Sequence, residues 1–176
     1  MTPRYSSGTG STAAIRGHPL HPVFVPIPIG LLVAAFATDV AFVTTDDAFW
    51  ARASYWLLMG GLLTGVIAAF VGAIDLISLQ RARTMGIAWA HAIGNVVVLA
   101  VTFLNYYTRI GHADTPPVPQ GVILSGFVLA TLVITAWLGG EIVFRHGIAV
   151  SREIGIGHET DSPELTARGR PDIGKS

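Results

Sequence analysis

The chain has 176 residues, 51% hydrophobic and only 12% charged, with eleven basic and eleven acidic residues and a mean hydropathy of +0.57. Soluble domains carry about a quarter charged residues, so a water-facing surface is excluded here, and zero formal net charge leaves no electrostatic footprint for nucleic acid. The absence of cysteine excludes disulfides, thiolate zinc sites, cysteine-ligated iron–sulfur clusters and c-type haem attachment, so histidine and carboxylate are the remaining strong metal ligands.

The chain opens on MTPRYSSGTGSTAAIRG (residues 1–17), a polar stretch read as a flexible N-terminal arm. The next segment, GHPLHPVFVPIPIG, sets His18 and His21 three residues apart, each before a proline. Proline fixes φ and turns its predecessor away from helical geometry. Both histidines are therefore expected in extended backbone or at a helix cap, with Pro22 or Pro28 in a first helical turn where a missing N–H costs nothing. The segment reads as a stiff entry arm able to fold its imidazoles over the inner mouth of a helical bundle.

Four apolar runs come next, at about 23–43, 55–79, 86–107 and 122–144. Each approaches the ~20 residues that cross a bilayer as a helix, and lipid admits no isolated strand. No small-residue cleavage site succeeds the first run, so it is read as an uncleaved span. The expected fold is an all-α, integral membrane four-helix bundle occupying residues 18–150, with 151–176 as a disordered charged tail. Trp56 with Gly60–Gly61 and Trp137 with Gly139–Gly140 hint at a repeat. Nine of eleven basic residues fall at the termini or between spans two and three, leaving Arg52 and Arg109 on the other side. The positive-inside rule then places both termini in the cytoplasm and the protein in the inner membrane.

Polar residues inside the runs carry the functional reading, because ionisable groups at membrane depth are costly and commonly functional. Asp75, His91 and Glu141 lie within a few residues of the cytoplasmic span ends, roughly 6–9 Å deep at about 1.5 Å per residue. His18, His21 and His146 approach the same layer. In span three His91, Asn95, Val98, Thr102 and Asn105 recur at steps of three or four, which makes one stripe on a helix. In span two Asp75 shares a face with Gly61, Thr64, Ala68 and Gly72, and Gly61-x-x-x-Gly65 has small-residue spacing for close helix contact. Asp39 is expected at a helix end near the outer headgroups, with His112 and His158 solvated. Trp50, Trp56, Trp89 and Trp137 are read as interfacial anchors.

The motifs GHPLHPVFVPIPIGLL, GAIDL, HAIGN and WLGGEIVFRHGIAV resemble those of the bacterial domain-of-unknown-function 2231 family of small membrane proteins, over roughly Gly17 to Val150. Relatives in that family are sometimes joined to Rieske-type domains. The resemblance implies a membrane redox complex or Rieske-type protein as partner, beside the lipid bilayer itself, and carries over the placement of His18, His21, Asp75, His91, Glu141 and His146.

The expected function is a metal- or haem-binding, redox-associated subunit. His18, His21, Asp75, His91, Glu141 and His146 are its candidate metal ligands, since neutral imidazole and carboxylate suit transition metals. His91, His21 and His18 are its candidate cofactor ligands, because bis-histidine haem b needs two facing imidazoles. His91 and His21 stand first, with Asp75 and Glu141 completing the site or orienting an imidazole. Two alternatives stay open: a structural or assembly subunit whose cluster is a hydrogen-bonded polar knot, and a proton or ion transporter. No phosphate loop, nucleophile elbow or catalytic triad occurs in the sequence, so an enzyme is not favoured.

Overall fold

A computed structural model of the chain describes residues 10–16, 18–114 and 118–148; the expected charged tail and His158 lie outside them. A short antiparallel ribbon comes first, β1 (Ala14–Ile15) against β2 (His18–Pro19). One helical turn, α1 (Leu20–Phe24), leads into α2 (Pro26–Thr45). Then come α3 (Ala48–Ser78), the short α4 (Gln80–Arg83), α5 (Gly86–Tyr107) and α6 (Gln120–Phe144). Among the described residues four apolar helical stretches are long enough to cross a membrane: Leu20–Thr45, Ala48–Ser78, Gly86–Tyr107 and Gln120–Phe144. The expected membrane bundle is therefore the fold.

Two boundaries differ from the sequence expectation. His21, expected in extended or capping backbone, lies in the turn α1, where the first N–H groups need no intrahelical partner. Backbone bonds from Val25 to His21 and from Ile29 to Val25 then carry the helix past the prolines. Helix α3 starts seven residues earlier than the apolar run at 55, because Asp47 caps it by accepting the Phe49 N–H at 2.9 Å. Asp46, with φ at 53°, closes α2 in the left-handed region just before it. The connection between the first two spans shrinks to those two aspartates.

The helices pack in a ring, α2 on α3, α3 on α5, α5 on α6 and α6 back on α2, so α2 and α5 stand diagonally. The buried positions reveal a repeat. Pro28, Leu32, Ala35 and Asp39 of α2 are buried. So are Val98, Thr102, Asn105 and Arg109, each 70 residues later. Ser54, Leu58, Gly61, Gly65 and Ala68 of α3 are buried, as are Gly121, Ser125, Val128, Leu132 and Thr135, each 67 residues later. The molecule is thus two helical hairpins in parallel orientation, related by a pseudo-two-fold along the helices, as in transporters built from parallel repeats. The tryptophan–glycine pairs at Trp56 and Trp137 hint at a repeat in another register, since those two indoles are 81 residues apart.

The centre is apolar: Leu32, Ala35, Leu58, Val98, Val128 and Leu132 form one cluster. Gly61 and Gly65 make the close approach possible. A Cβ on Gly61 would come within 2.6 Å of Leu32, and one on Gly65 within 2.8 Å of Leu99. The outer surface is apolar as well, with Phe70, Trp137 and Phe144 among the most exposed side chains. A surface of this kind is stable only against lipid.

Candidate functional site

Two polar layers cap the apolar centre, one at each end of the bundle. At the end that holds the α2–α3 and α5–α6 connections, Arg109 and Asp39 form a bidentate ion pair, both N···O distances 2.8 Å. Their exposures are 2% and 4%. Arg109 Nη1 also donates to Ser54 Oγ at 2.7 Å, while Nε and Nη2 donate to Asn105 Oδ1. All five guanidinium N–H groups are therefore used. Ser125 Oγ donates to the Asp39 carboxylate at 2.7 Å, and Asn105 Nδ2 donates to the Gly121 carbonyl. Every long helix contributes to this network.

Sequence reasoning does not find this layer. Asp39, expected near the outer headgroups, is buried; Arg109, a loop charge by its sequence context, points into the bundle. One more step of four along the His91–Asn105 stripe reaches Arg109, and that is the signal that could have found it.

At the opposite end, two imidazoles meet. His21, from α1, and His91, from α5, have ring centroids 6.2 Å apart and planes at 89°. They are 70 residues apart, in the same register as Asp39 and Arg109, so pseudo-equivalent residues face each other across the diagonal at both ends. Each ring is seated alike. His21 Nδ1 lies 2.9 Å from the Ala68 carbonyl and His91 Nδ1 2.8 Å from that of Thr135. A Cβ on Gly72 would meet the His21 ring at 2.8 Å, and one on Gly139 would meet the His91 ring at 2.9 Å. Ala68 with Gly72 and Thr135 with Gly139 are equivalent one-turn pairs, 67 residues apart. Each hairpin therefore holds its histidine by the same device: glycine opens space against the next helix, and the carbonyl one turn earlier takes the ring proton.

A carbonyl oxygen only accepts, so each Nδ1 carries a hydrogen, and in the neutral ring Nε2 is then the acceptor nitrogen. This is the tautomer of a metal-ligating histidine whose other nitrogen is held by a carbonyl. Asn95 Nδ2 approaches His91 Nε2 at 3.2 Å and also donates to the His91 carbonyl at 2.8 Å.

The other sequence candidates have separate partners. Asp75, 8% exposed, binds the N-terminal arm: Ser11 Oγ lies 2.7 and 2.9 Å from its two oxygens. The Thr12 and Ala13 N–H groups reach Oδ1 at 2.9 and 3.0 Å. Glu141 pairs with Arg145 at 2.7 Å, one turn on, with Arg145 exposed. His146 Nδ1 contacts the Glu141 carbonyl at 3.2 Å, and His18 Nδ1 the Arg16 carbonyl at 3.2 Å. His18 sits in the extended β2, as expected. The six residues share one end of the molecule, but of the six only His21 and His91 have their rings against each other. Among the described residues no group of three or more His, Asp or Glu is arranged to hold a metal ion.

Four apolar spans around an apolar centre capped by a polar layer at each end, with exposed apolar and aromatic side chains outside, define a small multi-pass membrane protein. Residues 17–152 match the model of the domain-of-unknown-function 2231 family, described as a predicted membrane protein, and the chain belongs to that family. No curated protein and no solved structure matches it.

Proposed function

We propose that the protein is a membrane-embedded metal-binding subunit in which His21 Nε2 and His91 Nε2 ligate one transition-metal ion where the two hairpins meet. The observation that carries this reading is the matched pair of Nδ1-to-carbonyl bonds, which presents two lone pairs from two halves of the molecule. Two metal–nitrogen bonds of about 2.1 Å each, plus the half-width of each ring, span roughly the observed centroid separation. Neutral imidazole favours zinc, copper, iron or nickel; copper or iron would make the subunit redox-associated and suit a membrane redox complex or Rieske-type partner. Haem b is the second arm. Both rings rest against helix glycines, so a macrocycle needs the hairpins to part, and a bare ion fits with less rearrangement.

Co2+ is the probe for the test. Detergent-purified wild type should bind about one equivalent and melt at higher temperature with Co2+ than with chelator, because an ion bound only to the folded state stabilises it. His21→Ala and His91→Ala should each abolish both effects. A polar knot is the competing reading, favoured by the Asn95 contact to His91 Nε2. It expects His91→Ala to cost about 1 kcal/mol, equally in Co2+ and in chelator. A Soret band after haem-sufficient expression would select haem over a bare ion.

The basic residues further support an orientation with both termini cytoplasmic in the inner membrane, strengthened by Arg109 being neutralised within the bundle. A reporter after Ser176 or between Gln80 and Met85 should score cytoplasmic, and one within residues 110–118 external. The opposite pattern would reverse the molecule and put the imidazole pair in the outer leaflet.

A further inference from the structure

Asp75 lies on the same face of α3 as Ala68 and Gly72, the two residues that seat His21. Steps of four and three along a helix place it about one turn beyond the imidazole, roughly 5 Å along the axis toward the bundle mouth. Its carboxylate lies on the helix face that seats His21, whereas Glu141, two residues past Gly139, pairs with Arg145; Ser11, Thr12 and Ala13 occupy the Asp75 carboxylate. The arm continues through β1 and β2 into α1, which carries His21 itself. Latch and ligand therefore lie on one short stretch of chain, and Leu20 N–H to the Ala13 carbonyl, at 2.9 Å, closes the loop between them.

We propose that the arm is a latch which withholds Asp75 from the metal site, and that a divalent transition-metal ion competes with Ser11–Ala13 for its carboxylate. With the latch closed, the pair offers two neutral nitrogens. With it open, His21, His91 and Asp75 form a two-histidine, one-carboxylate set, a donor combination suited to zinc, iron and other divalent metals. The carboxylate also supplies a negative charge toward a dication within an apolar bundle, where two neutral imidazoles supply none. This inference rests on the two-histidine reading and adds a third ligand and a means of control.

The arm is held by a charged acceptor, whose hydrogen bonds are about twice as strong as neutral ones, so loosening it should be visible in affinity. Co2+ titration of the full-length protein in detergent is the experiment, read by cobalt absorption and by trypsin cleavage after the exposed Arg16. Ser11→Ala removes the side-chain part of the latch and should tighten Co2+ binding about tenfold. Asp75→Asn should weaken binding, and Ser11→Ala should have no further effect in that background. In wild type, Co2+ should accelerate cleavage after Arg16, as the arm leaves its seat. If Co2+ binds in a His21- and His91-dependent way but Ser11→Ala and Asp75→Asn leave affinity and cleavage unchanged, the latch is refuted and the two-histidine site stands. If no variant binds Co2+, both fall.

Discussion

Each of the two polar layers of this bundle pairs equivalent positions of the repeat, yet the two are built to opposite ends. His21 and Asp39 are eighteen residues apart, as are His91 and Arg109, which at about 1.5 Å per residue is roughly 27 Å. That separation nearly matches the ~30 Å hydrocarbon thickness of a bilayer. At the Arg109 end the repeat has diverged into opposite charges, and every guanidinium hydrogen has found an acceptor. At the histidine end the residue is the same in both halves, and the two rings meet edge to face without an ion pair between them. Each instead turns its Nδ1 proton to a helix carbonyl; His91 Nε2 then meets Asn95 Nδ2 at 3.2 Å, while His21 Nε2 has no protein partner among the described residues. A saturated layer has nothing left to offer a ligand, and its work is to fix how the hairpins meet. The histidine layer is less completely paired, and its open position is the His21 Nε2. Between them the apolar cluster around Leu32 and Val98 separates the two, so the polar groups do not run continuously through the bundle.

The largest expected effect belongs to the saturated layer. Arg109→Ala strands the Asp39 carboxylate in the core, and breaking a buried pair from one side costs about 3–5 kcal/mol. Thermal unfolding in detergent should show that loss, with Co2+ binding by any surviving folded fraction unchanged. Replacing both partners by apolar residues, Asp39→Leu with Arg109→Met, should recover most of the stability, because no charge is left unpaired. A double variant as unstable as Arg109→Ala would mean the network contributes more than cancelled charge.

The contrast between the layers also explains what is legible in the sequence. Hydropathy alone locates the spans, because lipid selects long apolar helices and the four runs are uninterrupted. The histidine end is legible too: His-Pro motifs and a mid-span histidine are unusual, and counting residues to the span ends puts them at one depth. Pairing between particular side chains is not legible. Asp75, His91 and Glu141 share a depth, but depth says nothing of azimuth. Asp75 points toward the arm, and Glu141 lies beside its own Arg145. The repeat is hidden because its two helices have different offsets, 70 and 67 residues, and the equivalent residues are mostly different types. Arg109 is hidden because a basic residue shortly before Gly111 and His112 looks like a loop, and only the fold brings Asp39 to it.

A second test asks whether the glycine seats are what make the histidine layer. Gly72→Ala and Gly139→Ala each place a methyl within 3 Å of an imidazole, and packing an extra methyl into a filled site costs about 1–3 kcal/mol. Each should displace its ring and weaken Co2+ binding, although neither glycine carries a donor atom. Gly30→Ala is the matched control, since a Cβ there meets nothing within 4 Å; it should leave binding unchanged. Equal behaviour of all three variants would remove the equivalence of the two seats as a basis for the site.

The smallest expected effect comes from Glu141, an acid at the same depth as Asp75 in an unlike setting. Asp75 accepts two backbone N–H groups and a hydroxyl; Glu141 has an exposed arginine one turn away. Ion pairs of that exposed kind contribute about 0.3–0.5 kcal/mol on a helix. Glu141→Gln should accordingly leave the melting temperature nearly unchanged and Co2+ affinity as in wild type, where Asp75→Asn weakens it. Cobalt titration of the two variants side by side checks this. A loss of Co2+ binding in Glu141→Gln would show that α6 reaches the site by its carboxylate, and the ligand set would then have to be drawn around Glu141 and His91, on the α5–α6 hairpin, instead of around the pseudo-two-fold.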